Sequence, residues 1–334
     1  MSERGLPTGK LPAELLRSLV LGRLGARRPE TLVGAALGVD AAAVAFDGWA
    51  CVLTSDPITT ASAGAGRLAV HVVCNDLATM GAEPMGVLPT LLFPSGTAPD
   101  RVAELAADID ATARELNVEV LGGHTEVAPG LREPLVVMSG IGRARADHLL
   151  TAAGGRPGDV LVLTKAAALE GTHILVADFA ERLAGRVPDD LLHEARSYGA
   201  ELSVVPEARL AVELGATALH DPTEGGVLGA IWELAEASHT GVSIEVERIP
   251  IREATREICE TLGADPLRLI ASGALLVACE DAERMLNGLH RARIAATRIG
   301  HLTDGTRELL WRDGRAEPLT APGRDELYRL LERG

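Results

Sequence analysis

The chain has 334 residues, which is more than one hydrophobic core usually spans, so two domains are expected. Its net charge of −15, from 32 basic and 47 acidic residues, argues against nucleic acid and anionic membranes as partners. Aromatic residues make up only 2% of the chain. The core should therefore be aliphatic, and the stacking surfaces used by single-strand binders are scarce.

The cysteines and the N-terminal segment indicate the cellular compartment in which the protein is expected. Four cysteines, Cys51, Cys74, Cys259 and Cys279, form no CxxC pair and lie in apolar contexts, as is typical of reduced, buried thiols. The first residues, "MSERGLPTGKLPAELL", are charged and contain no apolar signal core. No run of about 18 apolar residues occurs. We therefore expect a soluble, cytoplasmic protein.

The first half of the chain alternates between strand and helix patterns. The segment "LPAELLRSLVLGRLG" favours a short opening helix, and "AAAVAFDGWACVLTSD" predicts two strands joined by an Asp47-Gly48 turn. A helix is predicted from "GRLAVHVVCNDLATMGAEP", ending at Gly81, and another from "PDRVAELAADIDATARELN". Strands are predicted from "MGVLPTLLF", "VEVLGG" and "PLVVMSGIG".

A charged segment rich in glycine and proline, "RARADHLLTAAGGRPGDV", indicates a domain junction that divides the chain into residues 1–147 and 148–334. Beyond it, "DVLVLTK", "GATALHD", "GVSIEVERI", "GALLVACE" and "ATRIGHLT" predict strands, and a turn at Asp304-Gly305 leads to "RELLWRDG". Helices are predicted from "EGTHILVADFAERL" and over residues 188–215, 252–262 and 281–291. This order predicts a two-domain protein of the α/β (α+β) class.

The stretch "HDPTEGGVLGAIWELAEA" combines a strong helix start with a weak first turn. Asp221 is the predicted N-cap, Pro222 the first helical residue, and Glu224 completes a capping box. Gly225 and Gly226 then follow, and each costs a helix roughly 0.8–1 kcal/mol relative to alanine. Two explanations are open. An anion such as phosphate could approach the exposed N–H groups, or the turn could pack closely against another backbone.

Acidic residues and glycines also gather at the ends of predicted elements. They are Asp40 in "GVDAAAV", Asp56 in "TSDP", Asp76 in "VVCNDLATMGA", and Gly122, Gly123, His124 and Glu126 in "LGGHTEV". Each one alone is typical of a turn, a cap or a solvated side chain. Together they suit magnesium, which takes one or two carboxylates along with substrate phosphates.

Common nucleotide motifs fit poorly. In "GLPTGKL" only three residues separate the glycines and leucine follows Lys10, so the segment is not a P-loop. The stretch "GAGRLA", residues 64–69, matches a relaxed dinucleotide pattern, which leaves a Rossmann-type oxidoreductase as a minor alternative. No HExxH, GxSxG or zinc-type cysteine spacing appears.

Several blocks together resemble the motifs of the aminoimidazole ribonucleotide (AIR) synthase superfamily, and most nearly its hydrogenase maturation HypE-type members. In chain order the blocks are "GVDAAAV", "TSDPI", "GRLAVHVVCNDLATMGAEP", "LGGHTEV", "GDVLVLTK", "HDPTEGGVLGA" and "SGALL". The resemblance implies a PurM-like fold, in which the N-terminal α/β domain pairs with its twin in a β-barrel-like dimer core and a C-terminal α/β domain follows. It also implies ATP and magnesium near that interface, with phosphoryl transfer to a substrate oxygen.

The resemblance implies roles for individual residues. The metal and nucleotide positions fall on Asp40, Asp56, Asp76 and Asp221, the glycine turn on Gly122 and Gly123, and the C-domain helix start on Gly225 and Gly226. Lys10 lies in an N-terminal segment that reaches over the phosphates in several members. His124 is interpreted as a proton shuttle, because histidine titrates near neutral pH.

The chain departs from the family pattern at four places. Val39 stands where the family commonly has the first of two aspartates, and His124 where it commonly has one, with Glu126 as a compensating metal ligand. Glu224 stands where HypE usually has arginine. HypE carries its carbamoyl group on a C-terminal cysteine, and no cysteine follows Cys279 here. HypE's own reaction is therefore not expected unless another protein supplies the thiol.

The sequence thus favours an ATP- and magnesium-dependent enzyme that activates an amide, carboxylate or phosphate oxygen by phosphoryl transfer. Its acceptor would be an unidentified small molecule or protein-borne group, and the enzyme would act as a homodimer without nucleic-acid or membrane partners. The alternative is a catalytically reduced nucleotide-binding protein of regulation or assembly, for example in metalloenzyme maturation. Val39 and His124 motivate that alternative because they reduce the carboxylate count that two magnesium ions would need.

Overall fold

The computed structural model describes residues 8–58 and 64–332, and these form two compact units. The larger unit contains residues 8–27, 35–39 and 150–332, and the smaller unit contains residues 28–34, 40–58 and 64–149. The N-terminal segment therefore clusters with the second half of the chain. The predicted domain division between residues 147 and 148 stays a prediction. Within the described ranges, no helix combines the length and the apolar character needed to span a membrane.

The opening helix is shorter than predicted. It consists of α1 (Ala13–Leu15), which continues as one π-helical segment (Leu16–Val20). None of these residues is fully buried, so little packing supports a longer helix.

The smaller unit is a mixed sheet with two helices. Its elements are β1 (Thr31–Val33), β2 (Ala42–Phe46), β3 (Trp49–Ile58), α2 (Ala65–Thr79), β4 (Glu83–Phe93), α3 (Pro99–Glu115), β5 (Glu119–Val120), β6 (His124–Val127) and β7 (Leu135–Arg145). The strand order is β1-β2-β3-β7-β4-β5, with β6 also paired to β4. The β2–β3 hairpin at Asp47-Gly48 is confirmed, and both turn residues have positive φ.

The two faces of this sheet differ in burial. On β3, Ala50 and Val52 are buried, whereas Trp49 and Leu53 are 47% and 37% exposed. Alternation along the strand places these pairs on opposite faces. Helix α2 covers the first face: a Cβ atom on Gly140 of β7 would lie 3.0 Å from the Val73 side chain. The second face, which carries Trp49 and Leu53, is called the open face below.

The Rossmann-type alternative is wrong. Strand β3, which precedes "GAGRLA", pairs antiparallel with both β2 and β7, whereas a dinucleotide fold uses parallel strands. Gly66 has a packing role instead, because a Cβ atom there would lie 2.8 Å from the Asp108 side chain on α3.

The larger unit is built on a second mixed sheet. After α1 its helices are α4 (Leu169–Asp178), α5 (Ala180–Leu183), α6 (Asp189–Ser197), α7 (Val205–Leu214), α8 (Gly226–Ala237), α9 (Glu253–Leu262), α10 (Ala282–Arg291) and α11 (Glu326–Leu331). Its strands are β8 (Val160–Thr164), β9 (Ala216–His220), β10 (Gly241–Glu245), β11 (Leu276–Cys279), β12 (Ala296–Thr303), β13 (Arg307–Leu310) and β14 (Ala316–Pro318). The order is β14-β13-β10-β12-β8-β11-β9.

Burial explains most of these elements. Helix α8 packs into the aliphatic core of the unit, and its Val227, Ile231 and Leu234 have no exposed surface. The predicted helical region 188–215 is divided into α6 and α7 by a 3₁₀ turn, Tyr198–Ala200. A proline near the start of α7 suits its first turn.

Candidate functional site

The smaller unit brings three predicted aspartates to one hydroxyl group. The Oγ1 atom of Thr54 lies 2.7 Å from Asp76 Oδ2, 3.2 Å from Asp56 Oδ2 and 3.2 Å from the Asp40 carbonyl oxygen. A hydroxyl carries one proton, so Thr54 can donate to only one of these oxygens at a time. The shortest distance indicates that Asp76 is the acceptor. The result is an oxygen-rich cluster, referred to below as the Thr54 cluster.

The local sequence explains why these groups meet. Thr54 and Asp56 are two residues apart on β3, so both point to the face that α2 covers. Asp76 lies on α2 and is 7% exposed, so it is buried rather than solvated. Asp40 lies two residues before the start of β2 and is half-buried.

In the Gly122-Gly123 turn, only the second glycine has a clear structural role. A Cβ atom on Gly123 would lie 2.1 Å from the Pro89 carbonyl oxygen, so only glycine fits beside β4 there. A Cβ atom on Gly122 would meet nothing within 4 Å. The following residues form β6, which was not predicted, and His124 Nε2 lies 3.0 Å from Glu126 Oε2 with both side chains exposed. The shuttle role of His124 and the metal role of Glu126 stay predictions.

The prediction that Asp221 is the N-cap of the helix at "HDPTEGG" is wrong. Helix α8 begins at Gly226 and its N-cap is Gly225, so Asp221, Pro222 and Glu224 all precede it. The two glycines have φ values of +89° and +66°. They therefore turn the chain into the helix through left-handed backbone rather than weakening its interior. Residues 221–226 are called the entrance turn below.

Close packing against another backbone, which was one of the two explanations, accounts for Gly226. A Cβ atom on Gly226 would lie 2.6 Å from the Leu267 carbonyl oxygen. The N–H group of Gly225 donates to Asp325 Oδ2 at 2.7 Å, and that of Leu228 donates to the Leu267 carbonyl at 3.1 Å. A carboxylate of the chain itself thus lies where one of the two explanations placed a bound anion. Nucleotide contact by Gly225 and Gly226 stays a prediction.

Asp325 belongs to a group of buried carboxylates near the entrance turn. Burial raises its pKa to about 6, and the N–H groups of Leu327 and Gly225 oppose the shift. Burial also raises the pKa of Glu170 to about 7, with the charges of Asp325 and Glu224 adding to the effect. Glu170 begins the predicted helix "EGTHILVADFAERL", and neither carboxylate was predicted as a site residue.

The remaining predicted residues of the larger unit surround the same turn. Asp221 is buried directly after β9. Lys10 is exposed, and its Nζ donates to Thr223 Oγ1 at 3.0 Å. A cavity of about 490 Å³ lies beside it, and its lining includes Lys10, Val39, Trp232 and Glu224. Val39 thus provides an apolar wall and no ligand oxygen.

A second buried pair lies on α8 and the strand before the turn. His220 Nε2 is 3.0 Å from Glu233 Oε2. Burial opposes ionisation of Glu233, but the charges of Lys10 and His220 outweigh it, so the pKa of Glu233 lies below its ordinary value. Neither residue was predicted as functional, because 13 positions separate them and no local spacing joins them.

Models of two protein domains match most of the chain. Residues 38–144 match the N-terminal domain of AIR synthase related proteins, and residues 156–311 match their C-terminal domain. The chain belongs to the AIR synthase related family. This confirms the resemblance on which the sequence interpretation rests.

Relatives within the family extend the comparison. A putative hydrogenase expression/formation protein of Methanocaldococcus jannaschii is 29% identical over 304 residues, which is 88% of each chain. The carbamoyl dehydratase HypE of Cupriavidus necator is 29% identical over 73% of this chain and 69% of its own. The solved structure of hydrogenase maturation protein HypE in complex with ATP has a TM-score of 0.72 at 24% identity, covering 94% of this chain and 96% of that one. The predicted two-domain PurM-like fold is confirmed.

Proposed function

We propose that this protein is an ATP- and magnesium-dependent enzyme that activates an amide, carboxylate or phosphate oxygen by phosphoryl transfer. The observation that carries the proposal is the Thr54 cluster, which gathers the carboxylates of Asp56 and Asp76 and the carbonyl oxygen of Asp40 around one hydroxyl group. The names of relatives agree with it: one is a carbamoyl dehydratase, another a selenide, water dikinase, and a HypE structure holds ATP.

The donor set of the cluster fits magnesium. Every candidate ligand atom is an oxygen, and the aspartates lie on β3, on α2 and two residues before β2. Magnesium prefers oxygen ligands and usually takes one or two carboxylates, leaving its other positions to water and substrate phosphates. A soft metal would favour thiolate or imidazole ligands, and neither is part of this cluster.

The protein's own groups would mainly position the metal and the nucleotide, so that the charge of the phosphoryl group is neutralised. Asp40, Asp56 and Asp76 would hold the metal, which supplies charge neutralisation on the transferred phosphoryl group. Thr54 would orient the Asp76 carboxylate through its hydrogen bond. Lys10, Asp221, Gly225 and Gly226 keep the nucleotide roles that the resemblance implies, as predictions.

A homodimer is part of the proposal. The open face of the smaller unit's sheet carries apolar side chains at Trp49, Leu53, Leu88, Val137 and Ile141, of which Trp49 and Leu53 are substantially exposed. Residues paired across antiparallel strands share a face, and Leu53 pairs with Ile141. Such a face is costly in water and is suited to a second copy of the same sheet.

The alternative is a nucleotide-binding regulatory or assembly protein with reduced catalysis. Val39 favours it, because this side chain lines an apolar cavity wall and adds no carboxylate to the metal site. His124 also favours it, since it pairs with the exposed Glu126.

Nucleotide binding and phosphate release, measured on the same preparation, distinguish the two. The enzyme hypothesis predicts magnesium-dependent ATP binding and slow phosphate release that Asp56→Asn abolishes. Binding without release in the presence of candidate acceptors would favour the regulatory protein. No binding at all would reject both.

A further inference from the structure

Glu224 connects two distant segments of the larger unit. Its Oε2 atom accepts the backbone N–H of Lys10 at 2.9 Å, and its Oε1 atom accepts the hydroxyl of Tyr328 at 2.9 Å. These donors lie 214 and 104 positions away in the sequence. Each carboxylate oxygen therefore holds a different part of the chain at the entrance turn.

Two further contacts act at the same place. Lys10 Nζ donates to Thr223 Oγ1 at 3.0 Å, so both the backbone and the side chain of Lys10 are bound to the turn. The Tyr328 ring lies against Gly9, where an added Cβ atom would be 3.2 Å from the ring. Residues 8–12 then form one wall of the cavity of about 490 Å³.

We propose that Glu224 is a positioning residue that fastens residues 8–12 to the entrance turn and so sets where the Lys10 ammonium stands. The link to catalysis rests on the proposed function, in which Lys10 contacts nucleotide phosphates. Glutamate suits this arrangement because its carboxylate offers two acceptor oxygens. Arginine at this position would offer only donors and could accept neither bond.

The arrangement lowers the cost of binding an anionic ligand. A segment that is already held in place loses less conformational freedom when its lysine engages a phosphate. Removing the Glu224 carboxylate should therefore weaken nucleotide binding, while turnover of the bound complex changes little. A general loss of stability would not give that separation between KM and kcat.

Hydrogen exchange of the Lys10 backbone amide tests the fastening directly. Glu224→Ala should speed that exchange about tenfold, since a hydrogen bond to a charged group is lost. Glu224→Gln and Tyr328→Phe should have smaller effects, because each retains one of the two bonds. The matched control is Glu247→Ala. Its carboxylate also accepts a backbone N–H group, because Arg312 N donates to Glu247 Oε1 at 3.0 Å. This control should leave exchange at Lys10 unchanged.

Unchanged Lys10 exchange in Glu224→Ala would overturn the proposal, and so would an equal effect in Glu247→Ala. The same variants test whether the position of Lys10 affects nucleotide binding. The KM for ATP should rise about tenfold in Glu224→Ala with kcat within about twofold of wild type. If wild-type protein binds no ATP, the proposed function fails, while the exchange result still decides the role of Glu224.

Discussion

Glu170 is a buried carboxylate whose ionisation opposes folding. Its side chain is 3% exposed, and burial raises its pKa from 4.5 to about 7. The folded protein therefore holds this proton more tightly than the unfolded chain does. Folding takes up a proton between those two values, so stability should fall as pH rises from about 4.5 to about 7.

The variant Glu170→Gln should remove that contribution. Glutamine still accepts the N–H of Ser272, which donates to Glu170 Oε2 at 3.2 Å, but carries no charge. We expect the variant to be about 3 kcal/mol more stable than wild type at pH 8 and nearly equal at pH 4.5. Urea unfolding at both pH values measures this. The control Glu253→Gln, an exposed first-turn glutamate, should show no such difference.

His124 gives a second prediction for a single residue. His124→Ala removes the proposed proton shuttle but leaves the Thr54 cluster intact, so turnover should fall about 10²-fold with nucleotide affinity unchanged. Phosphate release and nucleotide titration on one preparation measure the two effects. Unchanged turnover would reject the shuttle role.

At the scale of elements, the Asp325 carboxylate joins two helix starts. It accepts the N–H of Gly225 before α8 at 2.7 Å and that of Leu327 in α11 at 2.8 Å. Asp325 is 3% exposed, so its loss would leave two buried donors without this acceptor.

Asp325→Ala should therefore destabilise the protein by about 2–3 kcal/mol. Urea unfolding at about pH 4.5 would measure this loss, because above its raised pKa of about 6 the buried charge of Asp325 itself lowers stability. The control Asp281→Ala removes an exposed N-cap that accepts the N–H of Arg284 at 2.9 Å, and it should cost about 1 kcal/mol. Equal losses of unfolding free energy in the two variants would contradict the idea that burial strengthens the contribution of Asp325 to stability.

The entrance turn shows what local sequence can and cannot predict. The pattern at residues 221–226 has the composition of a capped helix start, and a helix does follow. Its first residue was misplaced because Gly225 is bonded to Asp325, 100 positions away. The grouping of Thr54 with Asp56 was readable from the period of a strand, whereas the approach of Asp76 depends on how α2 packs.

For the whole molecule, family motifs in chain order predicted the two-domain fold correctly. The clustering of residues 8–27 with the larger unit was not predicted, because it depends on long-range bonds such as Lys10 to Glu224. Local patterns carry no information on such contacts.

The proposed homodimer gives a prediction at this scale. Leu53→Glu places a charge on the open face and should convert a dimer to a monomer in sedimentation-velocity experiments. Leu331→Glu changes a similarly exposed leucine of the larger unit and should leave the dimer unchanged. A wild-type monomer, or a dimer that survives Leu53→Glu, would contradict the assignment of this face.

The central claim is best tested by calorimetric titration with ATP, with and without magnesium. Wild-type protein should bind ATP with magnesium present, and Asp76→Asn should weaken that binding at least about tenfold. The control Asp110→Asn changes an aspartate of the same unit that is exposed and paired with Arg114, and it should bind as wild type does. Equal affinity in Asp76→Asn, or binding that does not depend on magnesium, would contradict a metal–nucleotide site at the Thr54 cluster.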